Sequence, residues 1–342
     1  MSIFVTGGAG FIGSEFVRCW IRMYPAQTVI NFDALTYAGN LENLASVASS
    51  PSYRMVHGDI CDIEAVENAL PDQCDAVVNF AAESHVDRSI LSATEFVRTN
   101  VLGTQVLLDV ARAKRVKRFL QISTDEVGGS IPEGQLFRED SPLAPSSPYA
   151  ASKAAAEHLV RAAAHTFGDD ALITRTSNNY GFYQFPEKLL PLAISNAIDG
   201  RPIPVYGDGL QVRDWIHVAD NCRALVSALE RGRKGATYHI GGRNPRTNLD
   251  VLRLALRILD RPTSLLTRVT DRLGHDRRYA VDCSRASAEL GWNPEIEFEE
   301  GLRETVKWYQ DNEPWLSRVR SGEYQTYYER VYGADSRRMA QP

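Results

Sequence analysis

Two stretches of this sequence set acid–base groups within reach of one another. Tyr149 and Lys153 stand four apart in Ser147-Pro148-Tyr149-Ala150-Ala151-Ser152-Lys153, where Pro148 suits the first turn of a helix. An i, i+4 pair shares a helix face, and an ammonium beside a phenol lowers its pKa toward that of a base usable near neutral pH. Tyr-x-x-x-Lys alone also occurs in many surface helices. Ser123-Thr124 adds hydroxyls after an apolar run, and Asp125-Glu126 sets two carboxyl groups side by side. A carboxyl pair with separated pKa values can serve as one acid and one base. By residue type alone, such a pair reads more readily as a helix cap and a solvated charge.

A second kind of chemistry is written near the start. Gly7-Gly8-Ala9-Gly10-Phe11-Ile12-Gly13 lies between an apolar run and a helical pattern. Gly7, Gly10 and Gly13 permit a tight turn, close backbone approach to a pyrophosphate and tight helix–strand packing. The free N–H groups of the helix start then face the phosphates. Asp33 follows at the end of the next apolar run, placed to accept from adenosine ribose hydroxyls and to repel a 2′-phosphate, which favours NAD over NADP. Asp59-Ile60 follows the third run, where an adenine edge would lie; it reads equally as a turn before a helix cap at Asp62.

These groups need a scaffold, and the apolar pattern supplies one. Ile3–Val5, Val29–Phe32, Tyr53–Val56, Ala76–Phe80, Arg118–Ile122 and Ala171–Thr176 read as buried parallel strands. Amphipathic stretches around 11–23, 62–70, 94–114 and 149–167 separate them, the signature of βαβ units. The expectation is an α/β, doubly wound parallel-sheet Rossmann domain over residues 1–177. From about 178, Pro186, Pro191, Pro202, Pro204, Gly200, Gly207 and Gly209 break the chain into short pieces. Residues 178–332 are expected to form a smaller mixed α/β substrate-binding domain, with some segments returning to the first. Residues 333–342 read as a disordered tail.

Composition narrows the field. A net charge of −5 over 342 residues argues against a general nucleic-acid or membrane-surface binder. Five scattered cysteines without a CxxC pair point to reduced thiols in the cytoplasm, with no metal site. No apolar stretch approaches the roughly 20 residues of a membrane span.

Taken together these motifs resemble the extended short-chain dehydrogenase/reductase family. Within it, Asn79-Phe80-Ala81-Ala82-Glu83-Ser84-His85-Val86-Asp87-Arg88-Ser89, Ser123-Thr124-Asp125-Glu126-Val127, Asn178-Asn179-Tyr180-Gly181 and Gln184-Phe185-Pro186-Glu187-Lys188 are similar to the dTDP-glucose 4,6-dehydratase branch. So are Val205-Tyr206-Gly207-Asp208-Gly209, Val212-Arg213-Asp214-Trp215 and Gly274-His275-Asp276-Arg277-Arg278-Tyr279, in order along the chain. The resemblance implies a catalytic NAD and a dTDP-glucose substrate. It implies Tyr149 as the base for sugar oxidation with Lys153 beside it, Thr124 on the C4 oxygen, Asp125 as acid and Glu126 as base. Further NAD contacts it implies are Phe11, Ile12, Ala34, Leu35, Thr36, Phe80, Ala81, Ala82, Ser84, Thr99 and Asn179. On the substrate side it implies Ser84, Asn178, Lys188, Leu189, Pro204, Val205, Tyr206, Asn248 and Tyr279, while Arg213, Arg278 and His275 can converge on the diphosphate. Arg277 reads better as a surface salt bridge. A homodimer through the 94–114 and 149–167 helices is also implied, with Val106, Leu107 and Val110 open to either core or interface.

Two residues depart from the family pattern. Gly128 replaces a usual Tyr beside Gly129, a pair expected to loosen the loop next to the acids, and Phe182 replaces a usual Pro. A UDP-linked 4,6-dehydratase and an NAD-dependent 4-epimerase are the competing enzymes, and a non-catalytic NAD-sensing scaffold is the competing class. The epimerase needs no acid pair.

Overall fold

The computed structural model describes residues 2–321; the expected tail at 333–342, and the segment leading into it, lie outside the described residues. Twelve strands occur among them: β1 (Ser2–Thr6), β2 (Thr28–Asp33), β3 (Tyr53–His57), β4 (Ala76–Asn79), β5 (Phe119–Thr124), β6 (Ala171–Thr176), β7 (Asn178–Tyr180), β8 (Ile203–Tyr206), β9 (Val212–His217), β10 (Thr237–Ile240), β11 (Pro245–Thr247) and β12 (Leu266–Val269). Seven of them form one parallel sheet in the order β10-β6-β5-β4-β1-β2-β3. The order reverses between β1 and β4, the crevice where a doubly wound sheet takes its ligand.

Both faces of that sheet are covered, which explains why all its strands but the edge strand β3 are buried along nearly their whole length rather than at alternate residues. Helices Phe11–Met23, Val218–Arg231 and Ser284–Leu290 pack one face with Val5, Val29, Val78 and Leu120. Helices Ile63–Ala69, Gly103–Ala113 and Pro148–Thr166 pack the other with Phe4, Phe32, Val77 and Ile173. Each such fully buried side chain contributes about 1.5–3 kcal/mol. The seventh strand, β10, and helix Val218–Arg231 come from the second half of the chain.

The remaining strands make a three-stranded sheet, β11-β9-β7, and a two-stranded one, β12-β8. Helices Leu189–Ile198, Asn248–Ile258 and Phe298–Asp311 close a separate core around Tyr180, Trp215 and Phe298. The expected helix at 94–114 is not uniform. It runs Thr94–Phe96, passes through a π turn at Val97–Leu102 and resumes at Gly103–Ala113.

Candidate active site

A cavity of about 400 Å³ lies at the carboxyl ends of the parallel strands. At one end it is walled by the glycine turn. Gly7 has φ +68°, and a Cβ there would sit 2.6 Å from Ala81 N; one on Gly13 would sit 2.3 Å from Gly7 O. No side chain fits either place, so bare backbone faces the cavity. Helix Phe11–Met23 starts at Gly10 with no side-chain cap, leaving its first N–H groups available to an anion. The Asp33 carboxylate is fixed by the N–H groups of Ala9 and Leu35, both at 2.8 Å. Burial pushes its pKa up against those bonds. Asp59 accepts from Cys61 N at 2.9 Å and pairs with Arg98 at 2.7 Å. A dinucleotide fits this end: a phosphate cradle with no side chain in it, and a held carboxylate with lone pairs to spare.

Deeper in, the helix with the Tyr–Lys pair begins where the sequence predicts. Ser147 Oγ caps it by accepting from Ala150 N at 3.1 Å, and Pro148 occupies its first turn. Tyr149 and Lys153 are both buried and both line the cavity. Lys153 Nζ donates to Ile122 O at 2.6 Å. Burial brings its pKa down to about 8, with Glu157 opposing. Tyr149 departs from expectation: burial and the Glu126 charge push its pKa up rather than down. The lysine ammonium donates to a strand carbonyl, and Glu126 is the charge that bears most on the phenol.

The acid pair is the most unusual feature. Asp125 is 4 % exposed, and its Oδ2 has no hydrogen-bond partner among the described residues. Burial, then the adjacent Glu126, raises its pKa well above the ordinary carboxyl range. Glu126 is also raised by burial, but Arg272, Arg213 and Lys188 pull it back. Burial thus favours the protonated form of Asp125, while Glu126 has three cations to stabilise its anion. Thr124 Oγ1 accepts from Glu126 N at 3.2 Å and approaches Asp125 Oδ1 at 3.3 Å. The Ser123 hydroxyl, expected beside it, is instead donated to Glu157 at 2.6 Å.

Every NAD-side residue singled out above lines the cavity except Leu35. Leu35 packs against the sheet core with φ +49°. Ser84, Thr124, Asn178 and Lys188 line it too, Lys188 Nζ donating to Ser84 O at 2.8 Å. Asn179 Oδ1 and Asn248 Oδ1 are buried acceptors without a partner.

Other substrate-side residues gather beside this cavity rather than on its wall. The Arg213 guanidinium lies 4.1 Å from the Tyr279 ring centroid and donates to Asp276 O at 2.9 Å. Tyr206 OH donates to Asp87 at 2.9 Å, and its ring meets His275 at 6.0 Å. Pro204 is buried on β8. Leu189 and Val205 pack into the second core, so Val205 can offer a ligand only backbone. Arg278 does not join Arg213: its Nη1 donates to Pro132 O and Gln135 O at 2.9 and 2.7 Å. Those two carbonyls hold one end of the guanidinium away from Arg213. Arg277 forms an exposed pair with Asp208 at 2.9 Å.

Three residues escaped the sequence reading. Arg272 pairs with Asp87 at 3.5 Å, keeps its Nε buried without a partner and is the leading cation on Glu126. Its segment was legible from Gly274-His275, but not which arginine there turns inward. Asn100, on the π turn, bonds both the N–H and C=O of Glu83, at 2.9 and 3.0 Å, and donates to Ser152 Oγ at 2.8 Å. The extra residue of that turn aims it inward, a signal periodicity does not carry. Glu187 joins Tyr37 OH at 3.1 Å and Arg88 at 3.6 Å. Phe182 lies outside the cavity wall, stacked on Trp308 at 5.7 Å.

The sequence pattern of the GDP-mannose 4,6 dehydratase family matches residues 4–305. The dTDP-glucose 4,6-dehydratase of Salmonella typhimurium is 48 % identical over 97 % of this chain and 99 % of its own. The crystal structure of the dTDP-glucose 4,6-dehydratase of Streptomyces venezuelae, which holds NAD, is 49 % identical and superposes with a TM-score of 0.91, covering 93 % of this chain and all of that one. The UDP-glucose 4-epimerase of Thermus thermophilus, also solved with NAD, is 29 % identical with a TM-score of 0.84, covering 91 % of this chain.

Proposed function

This chain belongs to the dTDP-glucose 4,6-dehydratase family, and we propose that it converts dTDP-glucose to dTDP-4-keto-6-deoxyglucose and water with the residues described above. NAD, when bound, supplies the hydride acceptor at C4 and returns the hydride to C6. Gly7, Gly10, Gly13 and Asp33 would hold it, with Phe80–Ala82, Thr99, Lys153 and Asn179 along its length.

Tyr149 takes the proton of the C4 hydroxyl while Thr124 bonds the C4 oxygen. Burial and the Glu126 charge hold the Tyr149 pKa up, so cationic charge beside the phenol would favour its action as a base. The ketone acidifies the C5 hydrogen, Glu126 removes it, and Asp125 gives its proton to the departing C6 hydroxyl; as C6 regains the hydride, Glu126 returns a proton to C5. Positioned acid–base groups of this kind contribute roughly 10²–10⁴-fold each. Arg213, with Arg272, balances the diphosphate and the Glu126 anion.

The observation that carries this reading over the epimerase is the buried, unpartnered Asp125 Oδ2 beside Glu126 in the cavity with Tyr149. Epimerisation at C4 calls for no second acid. Turnover of dTDP-glucose in deuterated water, read by NMR, should place deuterium at C5 of a 4-keto-6-deoxy product. A C4-inverted sugar without C5 exchange would establish the epimerase instead, and preference for UDP-glucose would move the activity to the UDP-linked dehydratase.

A homodimer in the cytoplasm completes the proposal. Leu107 and Val110 are core residues, at 0 % and 1 % exposure, and Val106 is partly covered. The apolar side chains left open nearby are Leu91, Val97 and Leu102, each at least half exposed. Exposed apolar side chains of this kind suit burial against a second copy. All five cysteines are unpaired, as reduced thiols would be. No helix among the described residues is long and apolar enough to cross a membrane.

A further inference from the structure

Three segments of the site leave the scaffold from different elements, and one buried carboxylate touches all three. Glu157 lies one turn beyond Lys153 on helix Pro148–Thr166 and is fully buried. Its Oε1 accepts from Ser123 Oγ at 2.6 Å and from Arg175 Nε at 2.9 Å. Its Oε2 accepts from Arg175 Nη2 at 2.8 Å and from Arg161 Nη2 at 3.3 Å. Ser123 and Arg175 are direct partners across the β5–β6 ladder. Ser123 immediately precedes Thr124-Asp125-Glu126, and Arg175 stands shortly before Asn178-Asn179.

We propose that Glu157 is a positioning residue for the dehydratase reaction: it locks the Tyr149–Lys153 helix to the ends of β5 and β6, and so fixes the spacing between the oxidation pair and the acid pair. The inference rests on the functional reading above. An ion pair serving stability alone would need only Arg175. Glu157 instead also accepts from Ser123, two residues before the acid pair, and a buried ion pair by itself is weak support for stability.

Glu157 also acts on Lys153. The charged groups facing the carboxylate are Arg161 on its own helix and Arg175 on β6. Behind Arg175 stand His239 of β10 at 3.3 Å and the Glu139 carbonyl at 3.5 Å, with Arg285 at 3.7 Å from the Glu139 carboxylate. On the other side Lys153 donates to Ile122 O. Glu157 is the charge that supports the ammonium against burial. Lys153 works protonated, so removing that charge moves the alkaline limb of activity to lower pH.

Three variants of the NAD-loaded protein test this. Glu157→Gln should lower kcat on dTDP-glucose by roughly tenfold to a hundredfold, the cost of a misplacement near 1 Å, with KM little changed and the alkaline limb shifted down. Ser123→Ala removes a bond but no charge, so kcat should fall less and the limb should stay. Because Arg175 is left uncompensated in Glu157→Gln, the double variant Glu157→Met with Arg175→Met keeps the test open if the single one fails to fold. A folded double variant should still lose kcat. Normal kcat and an unshifted limb in folded Glu157→Gln, or normal kcat in the folded double variant, would overturn the proposal. If the unaltered protein makes no 4-keto-6-deoxy product, the functional reading fails first. NAD affinity then becomes the readout, because Lys153 contacts the cofactor site whatever the sugar, and an affinity unchanged in the variants overturns the role of Glu157 as well.

Discussion

At the dinucleotide end of the cavity, Gly7, Asp33, Asp59, Phe80 and Thr124 each stand at a strand's carboxyl end or within two residues of it. At the substrate end, Arg272, His275, Arg278 and Tyr279 belong to an irregular segment after β12. Side-chain bonds hold that segment in shape: Ser146 and Tyr279 both donate to Asp276, at 2.8 and 2.7 Å, and His275 meets Asp271 at 2.6 Å. Hydrogen-bond register fixes the first end and tertiary contact fixes the second. A residue's type and spacing therefore foretell its place at one end and much less at the other. The acid pair sits at the boundary, on a strand end but with cations borrowed from the far side.

The largest effect should come from that boundary. Glu126→Gln cannot take the C5 proton, so oxidation should outlive elimination: absorbance of reduced cofactor rises while product formation falls roughly 10²–10⁴-fold. Asp125→Asn should slow departure of the C6 hydroxyl, and a substrate with a better leaving group at C6 should recover part of that rate. Near-normal product formation by both variants would make the pair structural and erase the boundary. Next comes Asp33→Ala, at the register-built end. It removes an acceptor from Ala9 and Leu35 as well as from the ribose, each a charge-assisted bond of about 1.5–3 kcal/mol. NAD affinity measured by titration should fall at least tenfold while discrimination against NADP weakens. Equal use of both cofactors by the unaltered protein would show that Asp33 does not select.

Much of the site was legible for this reason. The glycine turn, Asp33 and the capped Tyr149 helix follow from local backbone geometry, which short motifs encode. Three things were not legible. The direction of Ser123 is decided by Glu157, which is distant in sequence. The inward arginine among Arg272, Arg277 and Arg278 is chosen by Asp208 and by the carbonyls of Pro132 and Gln135. The high Tyr149 pKa arises from burial and from the acid pair, terms that no spacing of Tyr and Lys contains.

The arginines allow the comparison to be broken at its weaker side. Arg213→Met removes a buried cation that acts on both acids, so kcat/KM should drop roughly 10–100-fold, the worth of a charged hydrogen bond. Glu126 must be ionised to act as base, and losing this cation raises its pKa further. The acid limb of the rate profile should therefore move to higher pH. Arg278→Met should cost less than about threefold, because its guanidinium is bound to backbone carbonyls rather than to the cavity. An equal loss in both variants would show that Arg278 turns inward when the diphosphate arrives, and that the contact-built end is not pre-formed.

The smallest effect is expected at Gly128, where the two ends meet the loop after the acid pair. Two adjacent glycines read as a loose hinge, but the structure separates them. Gly129 has φ +72°, and a Cβ there would lie 2.3 Å from Ala144 O, so glycine is required. Gly128 has no such backbone demand; its Cβ would press on the Phe137 ring at 3.0–3.1 Å. The loop is also tied, Ala144 N donating to Val127 O at 3.0 Å and Gly129 N to Glu126 O at 3.1 Å. Gly128→Ala therefore sets a tight ring contact against the roughly 0.4–1 kcal/mol that glycine replacement gains from the unfolded chain. The melting temperature should move by only a few degrees, with kcat nearly unchanged. Gly128→Tyr needs the Phe137 ring to yield, and Phe137 is held by Ala280 O and Asp282 N at 2.9 and 2.8 Å. Pairing it with Phe137→Ala should recover whatever stability the single variant loses. If Gly128→Ala abolishes turnover in a folded, NAD-loaded protein, then Phe137 positions the acid pair, and tertiary contact governs the strand-built end as well.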